Sequence, residues 1–117
     1  MEPFTLCLAL NIYHEARGEP VPGQIAVALV TLHRAKRRPD KICQVVYKPH
    51  QFSWTIHKSL PIREHDAWHR AIALAKVAWK FTDFTGGATH FHNDAVSPRW
   101  ANELTYLGKI GNHHFYR

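Results

Sequence analysis

Between Ile62 and Lys80 the apolar residues Trp68, Ile72, Ala75 and Trp79 recur at steps of four, three and four, a spacing that lines them up along one face of an α-helix. Such a stripe has to be covered, and two earlier segments offer matching faces. Residues 4 to 16 show apolar side chains at helical spacing, with Glu2 or Thr5 near the start, until Gly18 and Pro20 break the pattern. Ile25, Ala28, Leu29 and Leu32 mark a second helix that runs from Gln24 to about Arg38 and is stopped by Pro39. Residues 17 to 23, with two prolines and two glycines, read as the loop between them.

The rest of the chain is less periodic. Lys41 to Tyr47 predicts a short helical turn, and a loop at Pro49 leads into Gln51, Phe52, Ser53 and Trp54, which read as extended. After Phe84 the character changes. Thr85, Gly86 and Gly87 form a turn, Ala88 to Asn93 alternates as a strand does, and Ile110 to Tyr116 is a second strand candidate. The expectation is an α+β chain, a mainly helical body with a small antiparallel β element, with residues 1–117 forming one domain.

Fifteen Lys and Arg stand against nine Asp and Glu, a formal charge of +6, so the surface should attract polyanions. Arg34, Lys36, Arg37, Arg38 and Lys41 cluster at a helix end, where they also complement the helix dipole. Cys7 and Cys43 lie in apolar stretches and read as buried free thiols of a chain made in a reducing compartment. No basic segment precedes the apolar residues at the start and no small-residue cleavage site follows them, so they read as core, not as a leader. No apolar run approaches the roughly 20 residues that span a bilayer.

Glu15, at the end of the first helix, is either a candidate catalytic acid or an ordinary exposed last-turn carboxylate. A carboxyl at the end of an apolar helix is partly desolvated, and desolvation lets it hold a proton near neutral pH. Gln51, Ser53, Thr85 and Asn93 carry short polar side chains suited to the hydroxyl and N-acetyl groups of sugars, or to local turn bonds. Phe52, Trp54, Phe91 and Phe115 are either sugar-stacking walls or core.

The run Ile12-Tyr13-His14-Glu15-Ala16-Arg17-Gly18-Glu19, followed by Pro20, Gly23, Gln24, Ala26, Val27 and Ala28, resembles the signature of the SleB/CwlJ-type cell wall hydrolases. The resemblance continues through Val46, Tyr47, Gln51, Phe52 and Ser53. It then takes in Thr85, Gly86, Gly87, Ala88, Phe91 and Asn93, and ends in Ile110, Gly111, Asn112, His113, Phe115 and Tyr116. It implies a lysozyme-related or lytic-transglycosylase-like fold and cleavage of peptidoglycan between N-acetylmuramic acid and N-acetylglucosamine, often with 1,6-anhydro ends. It also implies Glu15 as general acid and then base, with no cofactor and no metal.

Hydrolysis of the same bond by a muramidase stays open at this point, since the two outcomes differ in whether water or the C6 hydroxyl attacks. For a two-carboxylate reaction Glu19 is the candidate second acid, with pairing to Arg17 or a backbone cap as its alternative role. The substrate-binding candidates are Gln51, Phe52, Ser53, Trp54, Thr85, Gly86, Gly87, His90, Phe91, Asn93 and His113. Histidine marks the departures from the family pattern: His33 stands near a position often held by Asn, and His90 and His92 stand where aromatic residues are common.

The expected partner is peptidoglycan, with anionic envelope polymers drawn by charge. No nucleic acid partner, no membrane insertion and a monomeric state are expected. The expected setting is a phage endolysin, made in the cytoplasm and acting on the wall in the periplasm or outside the cell. Two rivals come from other classes. Ten histidines, including His90 and His92, His113 and His114, and the helical pair His65 and His69, suggest a metal-dependent nuclease, although no third ligand at a recognisable zinc spacing completes a site. A non-catalytic wall-binding module would use Trp54, Trp100 and the basic face.

Overall fold

Three helices pack around a buried second helix, and a three-stranded sheet closes one side. The computed structural model describes residues 1–48, 51–56 and 61–117; the loop expected at Pro49 lies outside them. The first helix, α1 (Pro3–Ala16), begins with proline, whose fixed φ suits the first turn. It buries Leu8, Ala9 and Ile12 completely.

The second, α2 (Val21–Arg34), starts three residues before the expected Gln24. Pro20 and Pro22 begin the helix instead of extending the loop, because the amides absent from its first turn would have had no partner there. The ten residues from Gly23 to Leu32 are all buried, so α2 lies between two layers. It ends at Arg34, before the expected Arg38. Lys36 and Arg37 take left-handed φ values of 52° and 56°, and the Arg37 amide closes the end on the Leu32 carbonyl at 2.8 Å. Pro39, expected as the stop, instead opens a third helix, α3 (Pro39–Val46).

Cys7 and Cys43 are joined in a disulfide with their Cα atoms 5.4 Å apart, which overturns the free-thiol expectation and removes the basis of the reducing-compartment inference. Apolar neighbours signal burial for a thiol and for a disulfide alike. Only the packing of α1 on α3 brings the two residues within bridging distance.

Gln51 to Trp54 does not run extended. Ser53–Ile56 is a 3₁₀ turn, held by the Thr55 hydroxyl and amide, which both donate to the Phe52 carbonyl. The fourth helix, α4 (His65–Val77), continues as a 3₁₀ turn over Ala78–Lys80. Its stripe is as expected in position, with Ala71, Ala75 and Ala78 fully buried and Trp68, Ile72 and Trp79 packed around them. It starts after the expected Ile62, and the amides of Arg63 and Glu64 donate to the Tyr13 hydroxyl at 3.2 and 3.1 Å. Among the described residues no helix is long and apolar enough to cross a membrane.

The sheet is antiparallel, with strands β1 (His90–Asn93), β2 (Tyr106–Ile110) and β3 (His113–Tyr116) in the order β1-β3-β2. Ile110, expected to begin the second strand, belongs to β2, which the sequence reading missed. A bulge between Tyr106 and Gly108 breaks its alternation, with Gly108 at φ 135°. Gly111 and Asn112 make the tight turn into β3, and Gly111 has φ 58°. The core divides at α2. Ile25, Ala28, Leu29 and Leu32 pack among the helices, whereas Ala26, Val27 and Val30 pack with Ala88 and Phe115 under the sheet.

Candidate active site

The last turn of α1 brings Glu15 to the wall of a cleft of about 530 Å³. Gln51, Phe52 and Ser53 form one side, and Val30 of α2 also lines it. The opposite side is the edge strand β1 together with Val96, Pro98 and Trp100 from the segment that follows it. Every residue from Thr89 to Asn93 lines the cleft. Side chains of a strand alternate between faces, so it is the free backbone edge of β1 that borders the space.

Burial alone pushes the Glu15 carboxyl from an ordinary 4.5 up to about 7. Among the described residues no cation offsets the desolvation, so near neutral pH the group is poised between acid and base. Glu15 is the only carboxylate among the described residues that line the cleft. A mechanism with two carboxyl groups in the cleft is therefore not what these residues offer.

The sheet wall is tied to the helical body by polar contacts. His33 Nδ1 donates to the Ala88 carbonyl at 2.7 Å. The half-buried Arg34 guanidinium donates to Gln51 Oε1 at 2.7 Å and to the Thr89 carbonyl at 3.3 Å, and lies 3.2 Å from His90 Nε2. Burial, and then Arg34 and Lys48, hold His90 below its usual pKa, so it is neutral at pH 7. Phe52 is buried against Phe91, with ring centres 5.9 Å apart, and Phe91 packs on Phe115. His92 Nε2 pairs with the Tyr116 hydroxyl at 2.9 Å on the other face of the sheet.

Seven residues singled out from sequence thus meet in the cleft: Glu15 with Gln51, Phe52, Ser53, His90, Phe91 and Asn93. The remaining six lie outside its lining. Trp54 stacks on His14 at 4.7 Å and donates to Asn11 Oδ1 at 3.0 Å, which ties the 3₁₀ turn to α1. Thr85 is buried, and with the Gly87 amide it donates to the Asp83 carboxylate. Gly86 and Gly87, both at positive φ, complete that turn. Burial alone would raise Asp83, but these hydrogen bonds and the nearby His33 outweigh it and lower its pKa. The turn sets where β1 begins.

His113 is 3% exposed and faces Glu19 at 3.8 Å. Glu19, the candidate second acid, points away from the cleft. Its carboxylate accepts from the Asn112 amide at 2.6 Å and from Asn112 Nδ2 at 3.1 Å. The helix breaks between Glu15 and Glu19, and that break carries Glu19 onto the β2–β3 turn, where it holds the turn to the body. Val30, Thr89, Val96 and Pro98 line the cleft without a sequence signal that could have found them. His92 and Trp100 stood out by type, but nothing in the sequence put them beside Glu15.

Fold and site together define an α+β domain of the SleB catalytic type. The structure is similar to the catalytic domain of the germination-specific lytic transglycosylase SleB from Bacillus anthracis, with a TM-score of 0.80 and 28% identity over all of this chain and 97% of that one. It is similar also to the catalytic domain of the Bacillus cereus SleB protein, with a TM-score of 0.77 and 28% identity over 99% and 91% of the two chains. In sequence it is 31% identical over 111 residues to a spore cortex-lytic enzyme of Bacillus cereus, and 32% identical over 111 residues to that of Oceanobacillus iheyensis. Both matches cover 92% of this chain, which spans 42% and 39% of the length of these curated relatives. The family model described as Cell Wall Hydrolase matches residues 18–116, and the chain belongs to that family. Glu15 lies just before the matched stretch, so its reading stands on the geometry above.

Proposed function

We propose that the chain cleaves the glycan strand of peptidoglycan between N-acetylmuramic acid and N-acetylglucosamine as a lytic transglycosylase, with Glu15 as the general acid and then the general base. The observation that carries this reading is the lone, uncompensated carboxyl in the cleft, with a pKa of about 7. Protonated Glu15 gives its proton to the glycosidic oxygen as the C1–O bond breaks, and an oxocarbenium-like centre develops at the muramic acid C1. The carboxylate left behind takes the proton of the same sugar's C6 hydroxyl, whose oxygen closes on C1. Glu15 is protonated again, no water is consumed, and no second carboxylate is required. Inverting and retaining hydrolases, by contrast, use a pair of carboxyl groups about 5 to 9.5 Å apart.

The names of the relatives support this reading, as does a cleft volume within the usual range of about 300 to 1,000 Å³ for ligand sites. Mass spectrometry of fragments released from purified sacculi tests it. Anhydro-muramic ends from the wild type and none from Glu15→Gln are expected. Reducing muramic ends would replace the transglycosylase by a muramidase, and no fragments from the wild type would overturn cleavage.

The biological setting we propose is bacteriolysis in the manner of an endolysin. The net charge of +6 supports it, since it favours approach to an anionic envelope. Faster clearing of permeabilised vegetative cells than of decoated spores is expected, and activity on spores alone would overturn it.

A further inference from the structure

Beside the cleft runs a furrow of about 410 Å³ lined by Arg34, Lys36, Arg38, Lys41 and Lys48, with Gln44 among them. No carboxylate lines it among the described residues. The acid closest at hand, Asp40, is exposed and pairs with Arg38 at 2.9 Å. Five cations are therefore gathered with one partner between them, and self-repulsion makes such a grouping unfavourable until an anion enters.

The furrow and the cleft meet at Arg34. Its guanidinium, on the furrow side, bonds Gln51 and the Thr89 carbonyl and touches His90, all three of which line the cleft. Lys48, which also lines the furrow, lies close enough to act on His90 as well. An anion in the furrow would thus sit next to whatever polymer occupies the cleft.

The chemistry of that polymer names the anion. A glycan strand of N-acetylated sugars is neutral along its backbone. Its charge lies in the carboxylates of the stem peptides that branch from the muramic acid. A branch of four or five residues reaches roughly 13 to 18 Å when extended, enough to pass from a sugar in the cleft over Arg34 into the furrow. Long, flexible lysines tolerate carboxylates at several positions along such a branch, as a rigid bidentate site would not.

We propose that this furrow is the subsite for the stem peptide's carboxylates, so that the protein grips the peptide branch as well as the sugar chain. The proposal rests on the reading of the cleft as a glycan site, and its test is a binding measurement that needs no turnover. The Glu15→Gln protein is titrated, by tryptophan fluorescence, with soluble glycan strands bearing stem peptides and with the same strands stripped of peptide by an amidase.

Peptide-bearing strands should bind about tenfold more tightly, an advantage of the size expected for three exposed charge contacts together. It should shrink as salt is raised. Lys36→Gln/Lys41→Gln/Lys48→Gln, added to the same protein, should bring the ratio to about one. Lys41→Glu alone, which alters a single half-buried position, should also lower it.

Equal binding of both strands by the parent, or an unchanged ratio in the variants, would overturn the proposal. So would displacement by teichoic acid fragments with no effect of the peptide, which would make the furrow a phosphodiester site. Failure of the cleavage reading shows separately, as a wild type that releases no fragments from strands that bind with the expected ratio.

Discussion

Replacing Glu15 by Gln should make the protein more stable in base while removing its activity, and the size of the effect follows from the site. A carboxyl that titrates at 4.5 when unfolded and at about 7 when folded holds its proton more tightly in the folded chain by about 3 kcal/mol. The folded pKa is raised, so the contribution to stability is fully present below pH 4.5. It is lost as the pH rises through about 7, where the folded chain must carry a half-buried charge that no cation among the described residues offsets.

Glutamine has nearly the same shape and never ionises, so the variant escapes that loss. For a chain of 117 residues, 1 kcal/mol moves Tm by roughly 3 to 5 °C. The Tm of Glu15→Gln should therefore match the wild type near pH 4 and exceed it by about 10 °C at pH 8. Differential scanning calorimetry of both proteins in matched buffers reads the difference, and the other carboxylates cancel from it. A Tm difference that stays flat from pH 4 to pH 8 would refute the desolvation of Glu15 and, with it, the argument for its role as an acid.

Three further outcomes are expected. Wild-type cleavage of sacculi should fall about tenfold per pH unit above about 7, as Glu15 loses its transferable proton; a rate constant to pH 9 would contradict this. Cys43→Ser should cost about 4 kcal/mol in urea unfolding, the loop-closure value for cysteines 36 residues apart, and a loss under 1 kcal/mol would show that the packing of α1 on α3 suffices. Gly111→Ala, at φ 58° and with the Glu19 carboxylate against the new Cβ, should destabilise by about 2 kcal/mol or more, read as a lower urea midpoint at an unchanged slope.

The helical body was legible because its signal is local. Trp68, Ile72, Ala75 and Trp79 declare a face by spacing alone, and the same kind of spacing puts Glu15 at the end of an apolar helix. Prolines misled the boundaries. Pro22 and Pro39 were read as interruptions, yet both start helices, because a missing amide is harmless in a first turn and harmful later. Cys7 and Cys43 show the limit of composition, since burial predicts neither the thiol nor the disulfide until two helices are placed together. The cleft was legible in part on both sides. Gln51 to Ser53 and His90 to Asn93 were singled out, whereas Val30, Arg34 and Trp100 join the site through tertiary packing that no spacing encodes. Glu19 could not be placed from sequence, because helical periodicity says nothing about direction once Gly18 and Pro20 have broken the helix.

The burial of α2 on both sides governs how the cleft can respond to a substrate. One jaw, α1 with its acid, is bolted to one flank of α2, and the other jaw, the sheet, to the opposite flank through Ala26, Val27 and Val30. Close-packed flanks resist sliding and compression, so the spacing between the acid-bearing helix and the sheet is set by the thickness of a single helix. Such a gauge cannot tighten around a ligand to improve a poor fit. It selects by admitting what already matches its width, and a polymer must bring its own bends to the acid.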